Sequence, residues 1–169
     1  MAAIDLLILE RIEWDWFVSC TVKKRNASDV YLSKKAFALL RWIARKNKVR
    51  FHNLPWALRI ESGIDPEHRH FHFLVGGLVH TGLGMRMVCI HRWEYLLGTT
   101  NPKNPKGTCR VRLYVGSGGA VSYLAQVLNA SENKGWTESN VRISHAAMSL
   151  AHYGACSSAA GLGAFHRSM

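Results

Sequence analysis

Acidic side chains are scarce in this 169-residue chain: 11 Asp and Glu stand against 22 Lys and Arg, a formal net charge of +11 at pH 7. No acid occurs between Asp29 and Glu61, while Lys34, Lys35, Arg41, Arg45, Lys46, Lys48, Arg50 and Arg59 all fall in that interval. A second acid-free interval, Glu94 to Glu132, carries Lys103, Lys106, Arg110 and Arg112. Such a field repels cationic ligands and favours polyanions, nucleic acid ahead of an anionic membrane surface. Cysteine is sparse as well. Cys20, Cys89, Cys109 and Cys156 form no CxxC or CxH pair, which argues against a zinc ribbon or a disulfide framework and for reduced thiols used as small core residues. Long apolar runs are missing: none approaches the roughly 18 residues of a membrane span. The first thirteen residues also lack the basic start and small-residue cleavage site of a signal peptide. The expectation is a cytoplasmic protein with no membrane partner.

What is present suffices for one packed domain: 19.0 kDa, 48% apolar residues and a mean hydropathy of −0.05 exclude disorder throughout. Phe17 to Val22 alternates and is rich in β-formers, which predicts a first strand. A helix from a Ser33 cap to about Lys46 follows, with Ala36, Leu39, Leu40 and Ile43 as its buried stripe. Leu54–Glu61 and His68–Gly76 read as two strands of a hairpin around the turn-rich residues 62–67. Met85–Leu97 reads as a helix, Thr108–Val115 as a fourth strand and residues 118–129 as a helix. A short strand at Val141–Ser144 and a helix at Ala146–Tyr153 come next, then an Ala/Ser/Gly-rich tail after about residue 155 that is expected to be flexible. This order predicts an α+β fold, a central antiparallel sheet of about five strands flanked by helices. The domain is expected over residues 1–130, with its core at about 13–130 and a partly ordered extension over 131–169.

His68, His70 and His72 alternate within one strand, so the three imidazoles leave one face while Phe71, Phe73 and Val75 enter the core on the other. Histidines at i and i+2 lie roughly 6.5–7 Å apart at Cα, close enough to converge on one metal ion. With Glu61 opposite His68 across the hairpin, Arg59 faces His70, Ala57 faces His72, and the carboxylate joins the histidine face. A slip by one residue sends it to the other side. Two histidines and a carboxylate with open coordination positions are what Lewis-acid catalysis requires. The plainer alternative is an exposed polar face with incidental histidines.

The stretch Gly118–Leu128 carries Val121, Leu124, Val127 and Leu128 on one stripe and Tyr123 off it, flanked by Gly119, Ala120 and Gln126. Taken together, Phe17-Val-Ser-Cys-Thr-Val22, Glu61 ahead of His70-Phe-His72, and Tyr123 in Ala-Val-Ser-Tyr-Leu-Ala resemble the HUH endonucleases. More narrowly, the chain resembles the replication initiators of rolling-circle plasmids and single-stranded DNA phages, over about residues 13–130. The resemblance implies a ferredoxin-like sheet and a divalent metal, Mg²⁺ or Mn²⁺, held by His70, His72 and Glu61. It also implies single-stranded DNA nicking and rejoining through a covalent 5′-phosphotyrosine on Tyr123, at a replication origin or hairpin. The family's helix usually reads Tyr-x-x-Lys, and here the lysine position is Gln126, which can donate a hydrogen bond but carries no charge. Arg59, Arg110 or Arg112 are the candidates to supply that charge. One tyrosine on the helix argues against the two-tyrosine members, and Tyr114 and Tyr153 are fallback nucleophiles. No GxxxxGK[ST] phosphate loop occurs, so duplex unwinding is expected from a host helicase, and no small-molecule cofactor is expected.

Strand binding needs cations for phosphates and flat groups for unstacked bases. Lys34, Lys35, Arg41 and Arg45 on the first helix, with Arg59, Arg110 and Arg112, are the candidates for the first role. Trp14, Trp16, Trp42, Trp56 and Trp136 are candidates for the second, with core packing the alternative, favoured for Trp42, Trp56 and Trp93. Two other functions compete. His68-Arg-His-Phe-His-Phe-Leu is formally close to the histidine-triad signature of nucleotide hydrolases, although Arg69 sits where a hydrophobe belongs. A non-catalytic basic nucleic-acid-binding module is the other.

Overall fold

The computed structural model describes residues 9–24, 27–61, 68–101, 103–116, 121 and 140–150. Its strands are β1 (Trp16–Lys23), β2 (Trp56–Glu61), β3 (His68–Val75), β4 (Gly107–Leu113) and β5 (Asn140–Ile143). Helix α1 (Asp29–Lys46) joins β1 to β2 through a 3-10 turn at Phe51–Asn53, and α2 (Leu83–Leu97) joins β3 to β4. The strands form one sheet in the order β4-β1-β3-β2-β5, with every pairing antiparallel. β3 inserts between β1 and β2, so the first four strands trace the split βαβ pattern of a ferredoxin-like sheet. The α+β expectation therefore holds. β5, from the expected C-terminal extension, adds to the free edge of β2, and residues 145–150 are helical.

Strand alternation divides the sheet into two faces. Trp16, Val18, Cys20 and Val22 of β1 and Phe71, Phe73 and Val75 of β3 are buried on the face that both helices cover. Leu32, Ala36, Leu39, Leu40 and Ile43 of α1 and Cys89, Trp93 and Leu97 of α2 meet them there. Trp93 packs edge-on to Phe71, with ring centroids 5.1 Å apart. Removing a side chain of this size from water contributes about 1.5–3 kcal/mol, so this face holds the main stabilising core. The opposite face carries a smaller cluster of Leu9, Ile12, Trp14, Ala57, Leu74, Val121 and Ala147 at one end. The other end of that face carries His70 and His72, which are half-buried among the described residues.

Several local expectations change. Ser28, not Ser33, caps α1, accepting from the Tyr31 N–H at 3.2 Å. Asp29 then sits in the first turn, where the helix dipole favours an anion. Ser33 falls inside the helix, buried, with no hydrogen-bond partner for its hydroxyl among the described residues. β2 begins at Trp56 because the 3-10 turn takes up the residues before Leu54. Trp14, Trp16, Trp42 and Trp56, considered as base-stacking groups, are all buried, as is Trp93. Their indoles contribute to packing because the sheet and helices leave them at most 8% exposed. Cys20, Cys89 and Cys109 are buried free thiols. The turn at 62–67, most of the helix expected at 118–129, Trp136, Tyr153, Cys156 and the tail lie outside the described residues.

Candidate active site

β1 and β3 build the floor of the histidine face together. In their register Ser19 lies opposite His72 and Thr21 opposite His70. The Ser19 hydroxyl pairs with His72 Nδ1 at 2.9 Å, and the Thr21 hydroxyl pairs with His70 Nδ1 at 3.1 Å. Phe17 stacks on the His72 ring, with centroids 5.7 Å apart and planes 7° from parallel. Each imidazole is thus held by a hydroxyl one strand away, and His72 is also clamped by an aromatic face. Fixing Nδ1 orients a ring so that Nε2 becomes its outward donor atom.

The other flank comes from β2. Here Glu61 lies opposite His70 and Arg59 opposite His72, a register two residues from the expected one. A two-residue displacement preserves parity, so Glu61 remains on the histidine face. One carboxylate oxygen of Glu61 lies 3.6 Å from His72 Nε2, and the other lies 3.3 Å from Arg59 Nη2. At 3.6 Å the first contact is too long for a hydrogen bond. It is close to the about 3.0–3.4 Å that separates neighbouring ligands of one small divalent ion. Among the described residues no group of three or more His, Cys, Asp or Glu stands ready to hold a metal ion. The donor set does fit one: two imidazoles and a carboxylate on adjacent strands, with His70 directly across from Glu61.

Arg59 departs from its expected role. It is 1% exposed and ion-paired with Glu61, enclosed on the histidine face instead of displayed to a ligand. β4 supplies the accessible cations. Thr108, Arg110 and Arg112 share a pocket of about 410 Å³ with Phe17, Ser19, Thr21, His70 and His72. Arg110 lies across from Ser19 and Arg112 across from Phe17, which puts two exposed guanidinium groups beside the histidines. Lys34, Lys35, Arg41 and Arg45 are not brought here, because α1 covers the opposite face of the sheet. Lys35 is further engaged by its amine donating to the Leu96 carbonyl at the end of α2.

Tyr123 and Gln126 lie outside the described residues. Their neighbour Val121 is helical and buried in the cluster with Ala57 and Leu74, on the histidine face. Tyr114 packs against the same cluster, and burial, with Glu10 adding to it, raises its phenol above the ordinary value. That makes Tyr114 a weaker nucleophile than a free tyrosine. Ser19 and Thr21 carry a sequence signal, a polar residue at every second position of an otherwise apolar strand, whereas Phe17 carries none.

No protein-family model and no curated protein matches the chain. Among solved structures, it is similar to the crystal structure of the hypothetical protein ORF119 from Sulfolobus islandicus rod-shaped virus 1. The two share 12% identity over 82% of this chain and 100% of that one, with a TM-score of 0.46.

Proposed function

We propose that this protein is a metal-dependent single-stranded DNA endonuclease of the HUH type, nicking and rejoining strands as a replication initiator does. The observation that carries the reading is the hydroxyl-held pair His70 and His72 beside Glu61, in a pocket whose rim is Arg110 and Arg112. His70, His72 and Glu61 hold the divalent ion, Mg²⁺ or Mn²⁺. When bound, the ion supplies Lewis-acid polarisation of the phosphoryl oxygen and offsets charge in the transition state. Arg110 and Arg112 seat the phosphates on either side of the scissile bond. Tyr123 attacks the phosphorus, forming an oxygen–phosphorus bond to the tyrosine as the bond to the 3′ oxygen breaks. The proton given up by the phenol is balanced by the one taken up by the departing 3′-hydroxyl. Gln126 donates a hydrogen bond to the phosphate. Attack by a DNA 3′-hydroxyl on the phosphotyrosine reverses the step and rejoins the ends.

Val121, a described neighbour of Tyr123 in sequence, is buried on the histidine face with Ala57 and Leu74. The origin sequence is unspecified, so the test uses a labelled pool of randomised single-stranded oligonucleotides with Mn²⁺. Cleavage is expected from the native protein, and none with EDTA or from Tyr123→Phe. Cleavage that survives both treatments overturns the reading in favour of a histidine-triad hydrolase. Binding without cleavage in either metal leaves a non-catalytic nucleic-acid module.

A further inference from the structure

We propose that the helical face of the protein carries a second nucleic-acid site, a groove between α1, the 3-10 turn and α2 that seats a single strand. Its phosphates rest on Arg41, Arg45, Arg50 and Arg92, past the edge of Phe51, and its bases stack on Tyr95, which borders the groove beside Arg92. The site is separate from the histidine pocket, because the helices that form it cover the other face of the sheet. It also stands independently of the proposed cleavage, since binding can be measured without metal.

The groove has a volume of about 500 Å³ and an apolar floor that includes Ala44 and Val49, and among the described residues no acid lines it. Four arginines face it from three elements. Packing four cations together without an anion is unfavourable unless an anion arrives from outside. Glu94 is the acid nearest to Arg92 in sequence, and it is paired with His91 at 3.2 Å.

Two of the cations are already stacked on rings. The Arg41 guanidinium lies 5.4 Å from the centroid of Phe51, and that of Arg92 lies 4.7 Å from the centroid of Tyr95. Tyr95 is 72% exposed, a large aromatic surface left in water. Arg92 Nε is buried without a hydrogen-bond partner among the described residues, a donor that a phosphate oxygen can satisfy. Alternating cations and flat apolar groups match the alternating phosphates and bases of an unpaired strand. A duplex hides its bases and has no use for the rings, and a bilayer surface cannot enter a recessed groove.

The test is fluorescence anisotropy of labelled oligo(dT) in EDTA across a salt series, comparing native protein with the double variant Arg45→Glu/Arg50→Glu. Both side chains are exposed, so the fold is expected to persist, and far-UV circular dichroism checks that it does. Losing two phosphate contacts should cut the log K against log [salt] slope by about 1.4 and weaken low-salt binding at least tenfold. An iododeoxyuridine oligonucleotide should photo-crosslink to the peptides containing Phe51 or Tyr95. Thymidine monophosphate should compete at least a hundredfold more weakly than the strand. Unchanged slope and affinity, with crosslinks confined to β1, β3 and β4, overturn the proposal. So does competition by the mononucleotide equal to that of the strand, which marks a free-nucleotide site. Arginine-dependent binding to phosphatidylserine vesicles with oligonucleotide binding unaffected overturns it in favour of a membrane contact.

Discussion

Glu61 is claimed from two sides, by the buried guanidinium of Arg59 and by the imidazole of His72. Arg59 balances the carboxylate in a place where water cannot, so the pair stands or falls together. Replacing Arg59 with Ala removes a buried cation that faces Glu61 and is expected to cost roughly 3–5 kcal/mol, read from the urea unfolding midpoint. A loss below about 1 kcal/mol would show that the pair is solvated. The three core thiols give a pH signature. Burial raises Cys20; hydrogen bonding to Cys109, then burial, raises Cys89; hydrogen bonding to Cys20 leads the rise of Cys109. A folded state that holds thiol protons more tightly keeps its full stability below about pH 8.5 and loses it as pH rises, because only the unfolded chain releases them. The unfolding midpoint should therefore fall between pH 7.5 and pH 10. Cys20→Ala/Cys109→Ala should flatten that decline, and an equal decline in the variant would contradict the assignment.

At the level of elements, α1 and its N-cap each hold one serine, with opposite expected effects. Ser28→Ala removes the cap and should cost about 1 kcal/mol. Ser33→Ala removes a buried hydroxyl without a partner among the described residues and improves helix propensity, so the thermal midpoint should rise or hold. A fall for Ser33→Ala comparable to that for Ser28→Ala would mean that its hydroxyl is bonded. Ser33 fits a cap by its spacing from Ala36, Leu39, Leu40 and Ile43, and the burial of Leu32 is what shows that the helix begins a turn earlier, at Ser28. β3 was the opposite case. Its period of two is unambiguous, so the histidine face and the Phe71/Phe73 face could be read directly. The hairpin register was legible only in parity, because the turn at 62–67 sets how many residues separate the partners, and composition does not fix that number.

On the scale of the whole molecule, two groups of arginines lie on opposite sides of the sheet. Arg110 and Arg112 border the histidine pocket, whereas Arg41, Arg45, Arg50 and Arg92 border the helical groove. Charge along the sequence did not reveal this, because it depends on which face the crossover helices cover, a property of the chain path. Nor did it reveal that Arg59 is buried, since strand β2 is enclosed at every one of its six positions. The division means that contacts at the pocket and at the groove can be removed separately, with the proposed chemistry belonging to the first. The most direct test is to incubate the protein with labelled single-stranded oligonucleotide and Mn²⁺, denature it, and look for label that migrates with the chain. The account predicts a denaturant-resistant adduct that maps to the peptide containing Tyr123 and is absent from Tyr123→Phe. No adduct in either metal, or one that persists in Tyr123→Phe, would contradict it.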